Sequence, residues 1–140
     1  MGSIGDADEV FFNRPGVVIV KWDSAIQAVS TEWQGWADKA EFIAALEASL
    51  VAIKKHHASR GLVDSLQQKA LPQPDQDWVN RDWFPRALAA GLRRLALVIP
   101  QNALAMMSIE DVLSRVRGSM LEVEYFSTVA EARKSLTEPR

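Results

Sequence analysis

The chain predicts an α/β domain, a mostly parallel sheet with an antiparallel hairpin at its start and about four helices. Three observations carry that prediction. Short apolar runs alternate with segments of helical period, in the order hairpin, helix, strand, helix, strand, helix, strand, helix, and such alternation joins parallel strands through right-handed crossovers. Helix boundaries are written into the chain by Asp38 with Glu41, by Thr128 with Glu131 and by Gly61. The 140 residues, 48% hydrophobic and 24% charged, suffice for one ordinary core and are too few for two.

Residues 1–9, small and acidic, are expected to form a disordered tail, with the domain spanning 10–137. Val10 to Phe12 and Val17 to Trp22 are strand-like, with Pro15 and Gly16 between them as a bend or bulge on an edge strand. Asp23 and Ser24 mark a reversal, after which Ala28 to Trp33 pairs back as the second arm of a hairpin. Asp38 and Glu41 stand at capping-box spacing, and Ile43, Leu46, Leu50 and Ile53 recur as one apolar face. A helix is therefore predicted to about Arg60, stopped by Gly61.

Leu62 to Leu66 lacks alternation, as a strand covered on both faces does. The loop from Gln67 to Pro74 then leads to a helix capped by Asp75, which Pro85 kinks or restarts before Gly91. Leu92 to Ile99 reads as a core strand stopped by Pro100. Ser108 with Asp111 opens another helix, whose Ile109, Val112, Leu113 and Val116 follow the i, i+3, i+4, i+7 pattern before Gly118. Leu121, Val123 and Tyr125 alternate with Glu122 and Glu124, the pattern of a strand with one wet face. Thr128 and Glu131 start a terminal helix carrying Val129, Ala132 and Leu136.

Several local motifs point to a family. Trp33 to Trp36 (WQGW) precedes the long helix, Val63 and Asp64 end the central strand, and Asp75 to Trp78 (DQDW) is followed by Trp83 to Pro85 (WFP). Gly91 to Val98 and Tyr125 to Ala132 complete the set. From Val10 to Leu136 the chain resembles the STAS-like proteins, relatives of bacterial anti-sigma-factor antagonists that share a topology with the lipid-binding lobe of CRAL-TRIO proteins. The resemblance implies a STAS-like topology and a bacterial branch known mainly through proteins of unassigned function. In the antagonists a phosphorylatable serine sits in a turn at the start of the helix after the central strand. This chain departs from that pattern: the stretch carries Asp75 and Asp77, and the only nearby hydroxyl is that of Ser65 at the strand end.

Charge and composition exclude several classes. With 16 basic and 18 acidic side chains the net charge is -2, which removes the bulk attraction behind nonspecific nucleic-acid binding. No cysteine is present, so disulfides and thiolate metal sites are absent. The chain starts without the basic and apolar run of a signal peptide, and no segment reaches the roughly 18 apolar residues of a membrane span. A cytoplasmic protein with neither cofactor nor metal is expected.

The working edge is expected between Asp64 and Gly91, where strand hands over to helix, since ligands of open α/β sheets collect at such places. Asp64 suits a ligand-binding or catalytic carboxylate, or one that fixes its loop through backbone N–H groups. Asp75, Asp77 and Asp82 suit either a cation or helix capping. Trp78, Trp83 and Phe84 form either a recognition surface or packing between helix and sheet. Arg81, Arg86, Arg93 and Arg94 either meet an anion or pair with the nearby aspartates. His56 and His57, about 100 degrees apart on a helix, suit a solvated helix end better than a metal. Met106 and Met107 lie in an apolar stretch, 101–107, that is either a soft contact surface or an irregular turn filling the core.

No serine, histidine and acid grouping and no phosphate loop has motif support. The expected function is a non-enzymatic interaction or regulatory module, docking to another protein or to a second copy in a homodimer. The partner- or ligand-binding set is Asp64, Ser65, Asp75, Asp77, Trp78, Trp83, Arg86, Met106 and Met107. The alternative is a pocket beneath the helices for a small amphiphile or an anionic metabolite, walled by Met106, Met107 and tryptophans with Arg86 or Arg94 at its mouth.

Overall fold

A computed structural model describes residues 8–116 and 118–138, so the expected tail up to residue 7 lies outside the described residues. One six-stranded sheet runs in chain order: β1 (Glu9–Arg14), β2 (Val18–Asp23), β3 (Ala28–Trp33), β4 (Arg60–Asp64), β5 (Arg94–Val98) and β6 (Glu122–Phe126). The first three strands pair antiparallel and the last four parallel. The helices are α1 (Lys39–His56), α2 (Gln73–Trp78), α3 (Phe84–Ala90), α4 (Ala103–Ser114) and α5 (Val129–Thr137). A π-helical segment, Val79–Trp83, joins α2 to α3.

This strand order decides where the helices go. From β3 to β6 every crossover steps in the same direction, and right-handed crossovers of one direction fall on one face. The main core accordingly joins Phe42 and Ile53 of α1, Val79 and Trp83 of the π segment, and Ile109 and Val112 of α4 to Val20, Val29, Leu95 and Leu97 of the sheet. The other face is left to α5, where Ala132 and Leu136 pack on Ala28, Leu62, Ala96 and Val98.

Local chemistry corrects several boundaries. Pro15 and Gly16 make a complete reversal, with Gly16 at φ 77, and the bulge falls instead between Val10 and Phe12. The carboxylate of Asp8 accepts from the Ser24 N–H at 2.9 Å, so the ordered chain starts before residue 10. The α1 capping box forms as expected, with Glu41 N–H donating to Asp38 at 2.7 Å and Asp38 N–H to Glu41 at 3.0 Å. The helix stops four residues early, however, because His57 takes the left-handed conformation (φ 50) and Ala58 N–H closes back on Ile53 O at 3.0 Å. Gly61 lies inside β4, where a Cβ would come within 3.1 Å of the Leu95 side chain. Nor is His56 solvated: it stacks on Trp22 with centroids 4.2 Å apart and meets Glu9 at 3.0 Å.

Asp75 does not cap α2. Pro72 holds the N-cap position, and Asp75 is buried within the first turn with no capping bond. Pro85, predicted to kink the helix, instead widens it: Phe84 N–H bonds to Val79 O, five residues back. Proline has no N–H for the Arg81 carbonyl, and its ring crowds that carbonyl, so one extra residue per turn relieves the conflict. Ser108 is not a helix start either, because Asn102 caps α4 by accepting from Ala105 N–H at 2.9 Å. The apolar stretch is thereby the first part of a regular helix. Thr128 caps α5 as expected, its hydroxyl accepting from Glu131 N–H at 3.1 Å.

Candidate functional site

A crevice at the carboxyl edge of an open sheet needs a point where strand order reverses. The order β3-β4-β5-β6 has none, so the edge expected around Asp64 is not at a switch point. The space opens instead between the sheet and its three-helix layer. Thr31 and Trp33 of β3, Val63 and Ser65 at the end of β4 and Leu97 of β5 form its floor. Phe42, Leu46 and Ile53 of α1, Val79 and Trp83 of the π segment, and Ile109 and Val112 of α4 form its roof. Together they enclose about 110 Å³, with no ionisable side chain in the wall. At about 24 cal/mol per Å³, an empty space of 110 Å³ costs about 2–3 kcal/mol. Against the roughly 5–15 kcal/mol by which domains are stable, that loss is substantial.

Polar side chains in the wall are few: Thr31, Ser49, Ser65, Gln68 and the Trp83 indole. The Trp83 indole N–H donates to Leu46 O at 3.0 Å and to Ser49 Oγ at 3.1 Å, while Ser49 donates to Leu46 O at 2.6 Å. These bonds hold the indole across the roof. Ser65 differs: it is fully buried and its hydroxyl has no hydrogen-bond partner. A kinase would have to open the fold to reach it.

The other candidates lie elsewhere. Asp64 follows the alternation of β4 onto the opposite face and accepts from Leu66 N–H at 3.1 Å, fixing its loop. Burial pushes its pKa up, the Leu66 bond opposes this and the Glu32 charge adds to it. Burial also raises Asp75, which the charge of Lys39 partly offsets. Asp77 is bound by Gln73 and Arg115, each at 3.0 Å, and they hold its carboxyl below the usual aspartate range. Arg86 forks onto Glu47 of α1 at 2.9 and 2.6 Å rather than onto the nearby aspartates. Its guanidinium also lies 5.9 Å from the half-buried Trp78 ring, which meets Phe42 edge-on. Met106 is half-buried and Met107 is exposed on α4, and neither reaches the cavity.

Of the nine candidates, then, Ser65 and Trp83 alone line the cavity, and the expected methionine walls and arginine mouth are not there. Residues absent from that set, among them Trp33, Phe42 and Leu97, supply most of the wall. A signal was present in β4, where Gly61, Val63 and Ser65 share the core-facing side at period two and place a hydroxyl where the pattern asks for an apolar group.

Among the described residues no group of histidine and acidic side chains is arranged to hold a metal, and no helix is long and apolar enough to cross a membrane. No family model, no curated protein and no solved structure matches the chain.

Proposed function

We propose that this domain is a non-enzymatic binding module that takes a small, mostly apolar molecule into the cavity between its sheet and its three-helix layer. One observation carries the reading: an apolar space of about 110 Å³ whose wall holds an unpartnered, fully buried hydroxyl. Engineered apolar cavities of about 150 Å³ stay dry and take up benzene, so the volume here is of the order of one small ring. The anionic half of the expected ligand class loses its support, since Arg86 is engaged by Glu47 and Arg94 donates to Ser135 O. The likeness to STAS-like proteins, with their lipid-binding topological relatives, is in keeping with an apolar ligand.

The test is native mass spectrometry of gently purified protein, followed by thermal unfolding with and without benzene. A retained small-molecule mass, or a rise in Tm that grows with benzene concentration, is the expected result. The variant Leu97→Phe, which fills the space, should lose that response. A protein that carries no ligand and whose Tm is indifferent to benzene removes the reading.

A second reading, docking to a protein, rests on α4. Leu104 and Met107 lie one turn apart and are 65% and 64% exposed. In that case Met107→Glu should stay folded while sedimentation shows weaker self-association. An unchanged distribution of species counts against this face as a contact between copies.

A further inference from the structure

We infer that Ser65 is the anchor for the polar group of the cavity's ligand, and that this ligand is a neutral single-ring molecule bearing a hydrogen-bonding substituent, of the phenol or cyclic-alcohol type. The inference rests on the binding reading above and adds the chemistry of the ligand. Ser65 directly follows β4 on the core-facing side, and its backbone is already satisfied, its N–H donating to Val98 O and its carbonyl accepting from Gln68 N–H, both at 3.0 Å. The hydroxyl alone is left over. It is fully buried at the cavity wall, where a polar group without a partner is costly.

The remaining wall narrows the class. With no ionisable side chain lining the space, a charged ligand would lose its hydration and gain no counter-charge. Ser49 and the Trp83 indole are bonded to each other and to Leu46 O, so they add no vacant partner. Thr31 and Gln68 are the other neutral polar side chains in the wall, so a ligand hydroxyl meets Ser65 among uncharged groups. The site is also within reach of solvent. A smaller pocket bounded by Trp36 and Lys69 shares Trp33, Phe42, Gln68 and Leu71 with the cavity, so these side chains lie between the two.

The experiment is an NMR titration of the full chain with phenol and with toluene, which match in shape and differ in the hydroxyl. Wild type is expected to bind both. In Ser65→Ala, phenol should weaken about three- to tenfold, the range of one net hydrogen bond, while toluene stays within about twofold. Ser65→Cys keeps the side-chain volume with a weaker donor and should fall between the two, which guards against a folding defect in the alanine variant. If both ligands bind and the Ser65 variants shift them equally, a resident water or the backbone satisfies the hydroxyl and the anchor is wrong while the cavity reading stands. If neither binds wild type, both fail.

Discussion

The two faces of the sheet are packed by opposite means. On the α5 face small residues prevail: Ala28, Ala96 and Ala132 share one cluster with Leu62, Val98 and Leu136. Small side chains let one helix settle close to the strands. On the other face three separate helical arms meet the sheet, large groups from both, Phe42 and Trp83 above Trp33 and Leu97, come to one place, and a space of about 110 Å³ remains among them. Bulky, rigid rings held by other constraints cannot all collapse into a common gap. Trp83 is fixed by its indole bonds, and the turn that presents it is widened by Pro85. Close packing is thus a property of how freely elements can approach, not of how apolar they are.

Substitutions on the two faces test this contrast. The largest effect is expected at Trp83→Ala, which removes both the roof and its hydrogen bonds and should cost about 3–5 kcal/mol in urea unfolding. Next come two neighbours on β5 that point to opposite faces. Ala96→Leu should cost about 1–3 kcal/mol because the α5 side has no room, whereas Leu97→Phe should be neutral or stabilising because it grows into the cavity. Equal losses at both positions, measured by the same unfolding curves, would erase the distinction.

A smaller effect belongs to the hinge between α5 and the β2 turn. Arg133 of α5 pairs with Asp23, whose side chain is 4% exposed while that of Arg133 is 39% exposed. Arg133→Met should leave the carboxylate buried and unpaired, at a cost of about 1–2 kcal/mol, reduced from a fully buried pair by the exposure of the arginine.

The smallest expected effect is pH-dependent. Burial raises the pKa of Asp75 in the folded chain, so the folded state holds its proton more tightly than the unfolded state does. Its contribution is fully present below the ordinary aspartate value of about 4 and is lost as pH rises through the folded value. Asp75→Asn should therefore gain stability relative to wild type as pH rises through that window, and match it most closely below it. A difference between the two unfolding free energies that stays flat with pH would show that Asp75 is solvated.

Much of the fold was legible because its determinants are local. Asp38 with Glu41 and Thr128 with Glu131 supply cap donors and acceptors within one turn, and both caps form as read. The alternation of elements was enough for a mostly parallel sheet with four helical arms. The misplacements were also local. Asn102 is as good a cap as Ser108 and lies earlier, while His57 adopts a conformation usually left to glycine. The site was less legible: the residues chosen around Asp64 and Asp75 cluster in sequence, yet alternation along β4 sends Asp64 and Ser65 to opposite faces.

By itself the sequence determined the class of the fold, the caps of α1 and α5, and the absence of thiol chemistry. Those features depend on residue type or on groups a few positions apart. Only the tertiary structure decided that the strand order has no switch point, that Arg86 is engaged by Glu47, and that a cavity lies above β4. The cavity is the volume left when side chains from three strands and the helical layer, far apart along the chain, stop approaching one another, and no local pattern of residues encodes such a remainder.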